Sequence, residues 1–237
     1  MTKLTRTLLA PLFALCLSAL MVAPVQAQSF DLGADVVNRY VWRGLDFGNA
    51  AAVQPGLSFS SGGFTVGAWG SFEISPAGGS AVNENDLYAS YAFDLGDSGS
   101  ISVSVTDFYF SNPGNDFFDY GDPGAHVIEP GISYSGPISL SASINAYGRD
   151  GENEIWLEAS VPFSVEDVDL SLALGGSPND GAGYYGTDGD TDAGITKLSL
   201  SASKSIEITD SFSLPINASY YVNPYLARSY FIFGISL

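Results

Sequence analysis

Apolar and polar residues alternate with a period of two along most of the chain. In the first such segment the even positions from Phe30 to Val36 are apolar, while Asp31, Gly33 and Asp35 lie between them. Successive side chains of a β-strand point to opposite faces, so this alternation predicts a strand with one apolar and one polar face. Eleven further segments repeat the pattern, at about residues 53–59, 64–74, 86–93, 101–106, 128–134, 138–146, 154–163, 170–174, 198–203, 212–220 and 231–237. The chain is therefore predicted to be all-β, with about twelve strands.

The connections between these segments alternate in length. Short, turn-like connections lie at residues 61–63, 94–100, 135–137, 164–169 and 204–211. The intervening connections are often longer and polar, as at residues 75–83, 111–125 and 175–194. Tight turns at one end, longer loops at the other and an even number of strands are typical of outer-membrane barrels. We therefore predict an antiparallel up-and-down transmembrane β-barrel in the cell outer membrane.

The first 27 residues have a different pattern from the rest of the chain. Lys3 and Arg6 precede an apolar run over residues 8–22, and Ala27 ends the segment at a small residue. This order predicts a secretory signal peptide over residues 1–27, followed by the barrel over residues 28–237. The single cysteine, Cys16, lies inside the apolar run, so we expect no disulfide in the exported chain.

Charge on the polar faces indicates which face meets the membrane. If the first strand continues to Arg43, then Asp31, Asp35, Arg39 and Arg43 share one face at four-residue spacing. An Arg directed at lipid near the bilayer midplane costs about 2 to 4 kcal/mol, whereas a water-filled lumen tolerates it. We therefore predict that the polar faces line the pore, with these seven charged residues among the lining: Asp31, Asp35, Arg39, Arg43, Glu73, Glu154 and Glu158.

Aromatic residues near the outer strand ends predict a girdle at the membrane interface. Tyr40 and Trp42 would close the apolar face of the first strand. A second group surrounds the last outer loop, formed by Tyr220, Tyr221, Tyr225 and Tyr230. Tyr and Trp are enriched where barrels cross the headgroup region.

A secreted soluble β-sandwich binding protein is the alternative, because period-two alternation also describes strands whose polar faces meet water. Three features favour the membrane barrel over it. The polar faces are rich in Ser and Gly, the loops alternate in length, and the last strand ends at Leu237 with Phe231, Phe233 and Ile235 alternating before it.

The first two hairpins resemble a known family. The stretches are Trp42-Arg43-Gly44, Ala52-Val53-Gln54 and Gly67-Ala68-Trp69-Gly70-Ser71. They are similar to the aromatic-Arg-Gly strand end, the Ala-Val-Gln strand opening and the Gly-x-Trp-x-Ser strand of the TorF-type porin family, a Gram-negative outer-membrane barrel family of unknown function. The resemblance covers about residues 30–72 and implies an outer-membrane barrel, without an established substrate or catalytic residue.

Two groups of acidic residues suggest ion binding. Asp188, Asp190 and Asp192 place carboxylates at alternate positions, as in a calcium loop, but Ala193 and Ser199 replace the glycine and the bidentate glutamate of an EF-hand. Asp116, Asp119 and Asp122 form a similar group among aromatic residues. We interpret both groups as solvated outer loops and predict no metal site.

Enzymatic activity is not expected. His126 is the only histidine, and no sequence feature identifies a serine partner for it. Phosphate-binding glycine loops and Cys/His zinc spacings are absent, so no cofactor is predicted.

The chain is strongly acidic, with 26 acidic and 8 basic side chains and a net charge of -18. Such a charge repels nucleic acid, which excludes that class of partner. An acidic pore would favour cations over anions, although the acidity is equally consistent with a solvated surface. We therefore predict a porin-like channel for passive diffusion of small polar solutes, with a preference for cations. The alternative is a plugged barrel whose acidic outer loops bind a surface partner or an ion.

Overall fold

The computed structural model describes residues 28–48, 50–74, 83–111, 115–121, 124–148, 153–180, 183–187 and 193–237. The predicted signal peptide, residues 1–27, lies outside them. The described residues form these strands: β1 Gln28–Val37, β2 Val41–Trp42, β3 Leu45–Asp46, β4 Ala52–Ser61, β5 Phe64–Glu73, β6 Glu84–Asp94, β7 Ser100–Phe110, β8 His126–Ser135, β9 Ser139–Ile144, β10 Tyr147–Gly148, β11 Ile155–Val165, β12 Val168–Ser177, β13 Gly194–Thr209, β14 Phe212–Asn223 and β15 Arg228–Ser236.

One antiparallel sheet closes on itself to form a barrel. Each wall strand pairs with the next along the chain, and β9 and β10 together form one wall strand beside β8. Closure comes from β15, which pairs with β1 at Asp35↔Ser236 and Val37↔Gly234. Counting β9 and β10 as one, the described part of the chain has twelve wall strands, which confirms the predicted up-and-down barrel. Outside the wall, β2 and β3 pair only with each other.

The outer face of the barrel is apolar. Its exposed side chains include Phe30 at 79%, Leu32 at 80% and Phe231 at 57% of their full accessibility. Within each strand, the residues that alternate with these apolar side chains point inwards. In β1 these include Asp31 and Asp35, which both line an interior cavity. Soluble proteins rarely expose an apolar surface of this extent. One closed sheet with an apolar exterior excludes the two-sheet sandwich and is compatible with an outer-membrane location.

The two ends of the barrel differ. Both the start of β1 and the end of β15 lie at the same end as the short turns, such as residues 62–63 and 166–167. We call this the turn end, and the opposite end, which carries the longer connections, the loop end. The part of the chain that the structure describes contains no helix long and apolar enough to cross a membrane.

Two details of the predicted strands are wrong. The first strand does not continue to Arg43, because β1 ends at Val37 and the chain then turns into the β2–β3 hairpin. The connection predicted at residues 204–211 is instead mostly strand, since β13 continues to Thr209 and turns at residues 210–211.

The predicted girdle at the loop end is also largely wrong. Tyr40 is buried against the inner side of the barrel, together with Val37, Ala52, Tyr230 and Ile232. Trp42 and Tyr221 pack against this same core. Of the predicted aromatic residues in wall strands, Tyr220 faces outwards and is 49% exposed. The reason is the early end of β1, which takes Tyr40 and Trp42 off the wall and into the lumen.

Candidate functional site in the barrel lumen

A hairpin from the first long connection enters the lumen at the loop end. We call residues 38–48, which include β2 and β3, the lumen hairpin. Its tip is Arg43–Gly44, both with positive φ (51° and 83°), as in the two-residue turns that favour tight hairpins. Thr196 Oγ1 in β13 donates a hydrogen bond to the Arg43 carbonyl at 3.0 Å, and Asn223 Nδ2 in β14 donates to the Gly44 carbonyl at 3.1 Å. The hairpin tip is therefore held by the barrel wall.

The Arg43 side chain crosses the lumen to the opposite wall. Its two terminal nitrogens donate to the two carboxylate oxygens of Glu129 in β8, at 2.6 and 2.8 Å. One of these nitrogens also donates to Ser143 Oγ in β9, at 3.0 Å. In the closed strand order β8 and β9 lie about halfway round the barrel from β1. Bidentate pairs of this kind are short, directional and strong, so the pair joins the hairpin to the far wall.

Aromatic rings surround the Arg43 guanidinium. Its central carbon lies 4.3 Å from the ring centroid of Trp42, 5.1 Å from that of Trp156 and 5.3 Å from that of Tyr185. A guanidinium within about 6 Å of an aromatic ring is attracted by the negative face of the ring. The guanidinium is therefore held by both a carboxylate and a set of rings, largely shielded from water.

A second loop brings Tyr185 into the lumen beside Arg43. Asp180, which is fully buried, accepts hydrogen bonds from the backbone N–H groups of Tyr185 and Thr187 at 3.0 Å each. This arrangement turns the chain inwards and buries the Tyr185 side chain completely beside Trp156. Burial raises the pKa of the Tyr184 and Tyr185 hydroxyls, so both remain neutral hydrogen-bonding groups at physiological pH.

Further carboxylates are buried on the inner wall near the hairpin. Tyr40 Oη donates to Glu84 Oε2 at 3.1 Å, which ties the start of the hairpin to β6. Asp86, two residues along the same face, is 7% exposed, and its Oδ1 has no hydrogen-bond partner in the described residues. Sequence reasoning did not single out Glu84, Asp86 or Glu129 as lining residues. Asp86 and Glu129 lie on the polar faces of their predicted segments, whereas Glu84 precedes the nearest predicted segment by two residues.

The seven sequence-predicted lining residues fall into separate groups. Arg39 pairs with Asp46 inside the lumen hairpin at 2.9 Å. Glu158 in β11 pairs with Lys197 in β13 at 2.8 and 2.9 Å. Glu73 and Glu154 lie at the loop end, where Glu154 is 7% exposed. Asp31, Asp35 and Arg43 complete the set: both aspartates are in β1 and Arg43 is at the tip of the lumen hairpin.

Beneath the hairpin, towards the turn end, the lumen contains a cavity of about 490 Å³. Side chains from the inner faces of β1, β4, β5 and β6 line it, including Asp31, Asp35, Gln54, Trp69 and Tyr88. We call this cavity the lower chamber. Trp69 also contacts Tyr40, with ring centroids 5.6 Å apart, so the chamber begins directly below the hairpin.

His126 lies away from the lumen. It pairs across the ladder with Tyr109 and faces the outer side, beneath residues 115–121. Its Nδ1 lies 2.7 Å from Asp107 Oδ1 and its Nε2 lies 2.6 Å from the Phe117 carbonyl oxygen. Tyr120 stacks on the imidazole at a centroid distance of 3.9 Å. Both ring nitrogens are thus engaged, and neither contacts a serine hydroxyl in the described residues.

The two groups of acidic residues that suggested ion binding lie partly outside the described residues. Asp188, Asp190, Asp192 and Asp122 lie outside the described residues. Asp116 and Asp119 accept hydrogen bonds from nearby backbone N–H groups of their own loop. Across the described ranges, no three His, Cys, Asp or Glu side chains are grouped so that they could hold a metal ion.

Comparison with known proteins gives one result for the chain. Residues 23–211 match the model of a family described as a bacterial protein of unknown function, Gcw_chp. The match extends from before β1 to the turn between β13 and β14, and so includes the lumen hairpin, the lower chamber and Glu129. No curated protein matches the chain.

Proposed function

We propose that this chain, which belongs to the Gcw_chp family of bacterial proteins of unknown function, forms an outer-membrane channel. In this proposal, the lumen hairpin closes the channel at the loop end. Small polar solutes would pass by diffusion when the hairpin moves aside. The observation that carries this proposal is the Arg43–Glu129 pair, which spans the lumen from the hairpin to β8. A single ion pair that crosses the lumen gives a barrel two states, one with the pair formed and one with it broken.

The inner charges support a preference for cations. In the described part of the chain, Arg43 pairs with Glu129 and Lys197 with Glu158, while the carboxylates of Asp31 and Asp35 on the inner face have no basic partner. Low-dielectric walls focus the field of such charges into the lumen and concentrate counter-ions there. Rings of carboxylates select cations in other channels by this same physics.

Other observations are consistent with this proposal. The resemblance of residues 30–72 to the TorF-type porins supports a barrel in the outer membrane, and the signal peptide predicted over residues 1–27 supports export. The two engaged nitrogens of His126 leave no free imidazole for catalysis, which supports a function without chemistry.

Single-channel recording in planar bilayers tests the proposal. Wild-type protein should give small or infrequent conductance steps, because the hairpin crosses the lumen. The double variant Arg43→Gln, Glu129→Gln removes both charges without leaving one buried and unpaired, and should give larger or more frequent steps. Under a salt gradient, the reversal potential of these steps should indicate cation preference.

The matched control removes a different ion pair. Lys204 Nζ and Asp167 Oδ2 are 2.7 Å apart at the turn end and are exposed to solvent. The variant Lys204→Gln, Asp167→Asn should therefore record like wild type. Silence from both wild type and the Arg43, Glu129 double variant, with protein correctly inserted, would contradict the channel.

The plugged binding barrel is the second candidate function, and the inward loop around the fully buried Tyr185 favours it. Replacing residues 178–193, which connect β12 to β13, by a short turn separates the two candidates. A binding barrel should lose its partner or ion and stay silent in the bilayer. A channel should still conduct, with larger steps because Tyr185 no longer packs beside Arg43.

A further inference from the structure

The lower chamber differs from the rest of the lumen in that its carboxylates have no basic or hydrogen-bonding partner among the described side chains. Around the hairpin, Glu129 pairs with Arg43, Glu158 with Lys197, and Glu84 accepts a hydrogen bond from Tyr40. In the described residues neither Asp31 nor Asp35 has an ion-pair partner or a side-chain hydrogen bond, although both line the chamber. The chamber thus carries negative charge that the protein itself leaves uncompensated.

Aromatic rings form another part of the chamber wall. Trp69 and Tyr88 lie on neighbouring strands, β5 and β6. Glycine on the inner face makes room for the Tyr88 ring, because a Cβ at Gly67 would lie 2.5 Å from Tyr88 Cζ. The glycine at 67 therefore lets the Tyr88 ring lie close against the wall and leaves the chamber open.

Asp86 adds a buried carboxyl group at the top of the chamber. It pairs directly with Trp69 across the β5–β6 ladder, and its buried Oδ1 has no hydrogen-bond partner among the described residues. The chamber therefore combines two unpaired carboxylates on β1 with two aromatic rings, and the buried carboxyl group of Asp86 lies behind the rings.

This combination selects a class of ligand. Carboxylates beside aromatic rings attract ammonium groups by charge and by the negative faces of the rings. A bare metal ion needs several oxygen ligands in one shell, and the described residues provide no such group. A volume of about 490 Å³ is within the range of small-molecule sites.

We propose that the lower chamber is a binding site for small organic cations of the alkylammonium class, with Asp35 as the inner carboxylate and Asp31 at the mouth. This inference deepens the proposed function and rests on it, because it names the solute class for which the lower half of the channel is suited. Binding itself requires only the chamber and not an open hairpin.

Calorimetric titration of the detergent-solubilised protein with tetramethylammonium chloride tests this site, with sodium chloride at the same ionic strength as reference. Neutral tert-butanol, similar in shape, measures the contribution of charge. We expect wild type to bind tetramethylammonium in preference to both. The variant Asp31→Asn, Asp35→Asn should weaken this binding by about tenfold or more, because it removes both unpaired negative charges from the chamber.

Two further variants serve as controls. Asp97→Asn makes the same acid-to-amide change in an exposed turn outside the chamber, and should bind like wild type. Trp69→Phe keeps a ring in the wall but replaces the strongest cation–π partner by a weaker one. It should weaken binding less than the double aspartate variant, because both negative charges remain.

The outcomes separate this inference from the proposed channel. Equal binding by wild type and the double aspartate variant, or no tetramethylammonium binding by wild type, overturns the alkylammonium site and leaves the conductance test standing. Binding that depends on the two aspartates in a protein that never conducts supports the site and contradicts the channel.

Discussion

At the residue scale, Arg43 carries the contacts that join the lumen hairpin to the barrel wall. Its guanidinium meets Glu129, Ser143 and Tyr185, and its carbonyl accepts from Thr196. The side chains of Arg43 and Glu129 are 13% and 7% exposed, so their pairing is largely shielded from water and salt. A buried ion pair often contributes little net stability to a fold compared with apolar residues in its place. Removing one partner is costly, because the other charge is then buried and unpaired.

We therefore predict that Arg43→Met destabilises the folded barrel by about 3 to 5 kcal/mol, the usual cost of stranding one buried charge. The measurement is urea unfolding in detergent micelles, followed by gel mobility. Adding Glu129→Gln should recover most of the loss, because the stranded carboxylate is then neutral. A single variant as stable as wild type would mean that Glu129 finds another partner or that water reaches it.

At the element scale, the lumen hairpin depends on its two-residue tip. Gly44 has a φ of 83°, and a Cβ there would collide with the Thr196 backbone carbonyl. Gly96, in the turn between β6 and β7, has a φ of 63°, but a Cβ added to it would have no atom within 4 Å. The two glycines thus share the conformational requirement, while only Gly44 lacks space.

We expect Gly44→Ala to cost about 1 to 3 kcal/mol more than Gly96→Ala, because extra atoms are forced into a packed site. The same variant should displace the hairpin tip and raise conductance, whereas Gly96→Ala should leave conductance unchanged. Unfolding curves and bilayer recordings of both variants check this. Equal costs and unchanged conductance for the two would show that the tip is not held against β13.

At the scale of the whole molecule, the barrel has apolar side chains on its outer face and polar side chains on its inner face. Val105 in β7 is 42% exposed on the outer face, and its neighbour Ser104 faces inwards beside Gly131. The two positions are adjacent in sequence and at nearly the same height in the wall. Placing the same charged residue at each position therefore tests which face meets lipid.

We predict that Val105→Arg impairs folding into lipid vesicles by about 2 to 4 kcal/mol, the cost of Arg near the bilayer midplane. Ser104→Arg should be tolerated far better, because its charge enters an acidic, solvated lumen. The shift in gel mobility on boiling, measured after refolding into vesicles, gives the folded fraction of each. Greater damage from Ser104→Arg than from Val105→Arg would mean that the outer face does not meet lipid.

The number of strands, their two faces and the end that carries the longer loops could be predicted from the sequence alone. Alternation and turn residues are local properties, so the twelve wall strands and the inward aspartates of β1 follow from neighbouring residues alone. The same rule also identifies Glu129 as inward-facing, but gives no reason to select it from the other polar residues.

The end of the first strand and the side chains that fill the lumen could not be predicted in this way, because both depend on contacts between distant parts of the chain. A regular alternation continues through Tyr40 and Trp42, yet these rings are buried inside because the chain leaves the wall after Val37. Arg43 and Glu129 are 86 residues apart in sequence. Their contact depends on which strands stand opposite each other once the sheet closes, and a period of two along the chain contains no information about distances across a barrel.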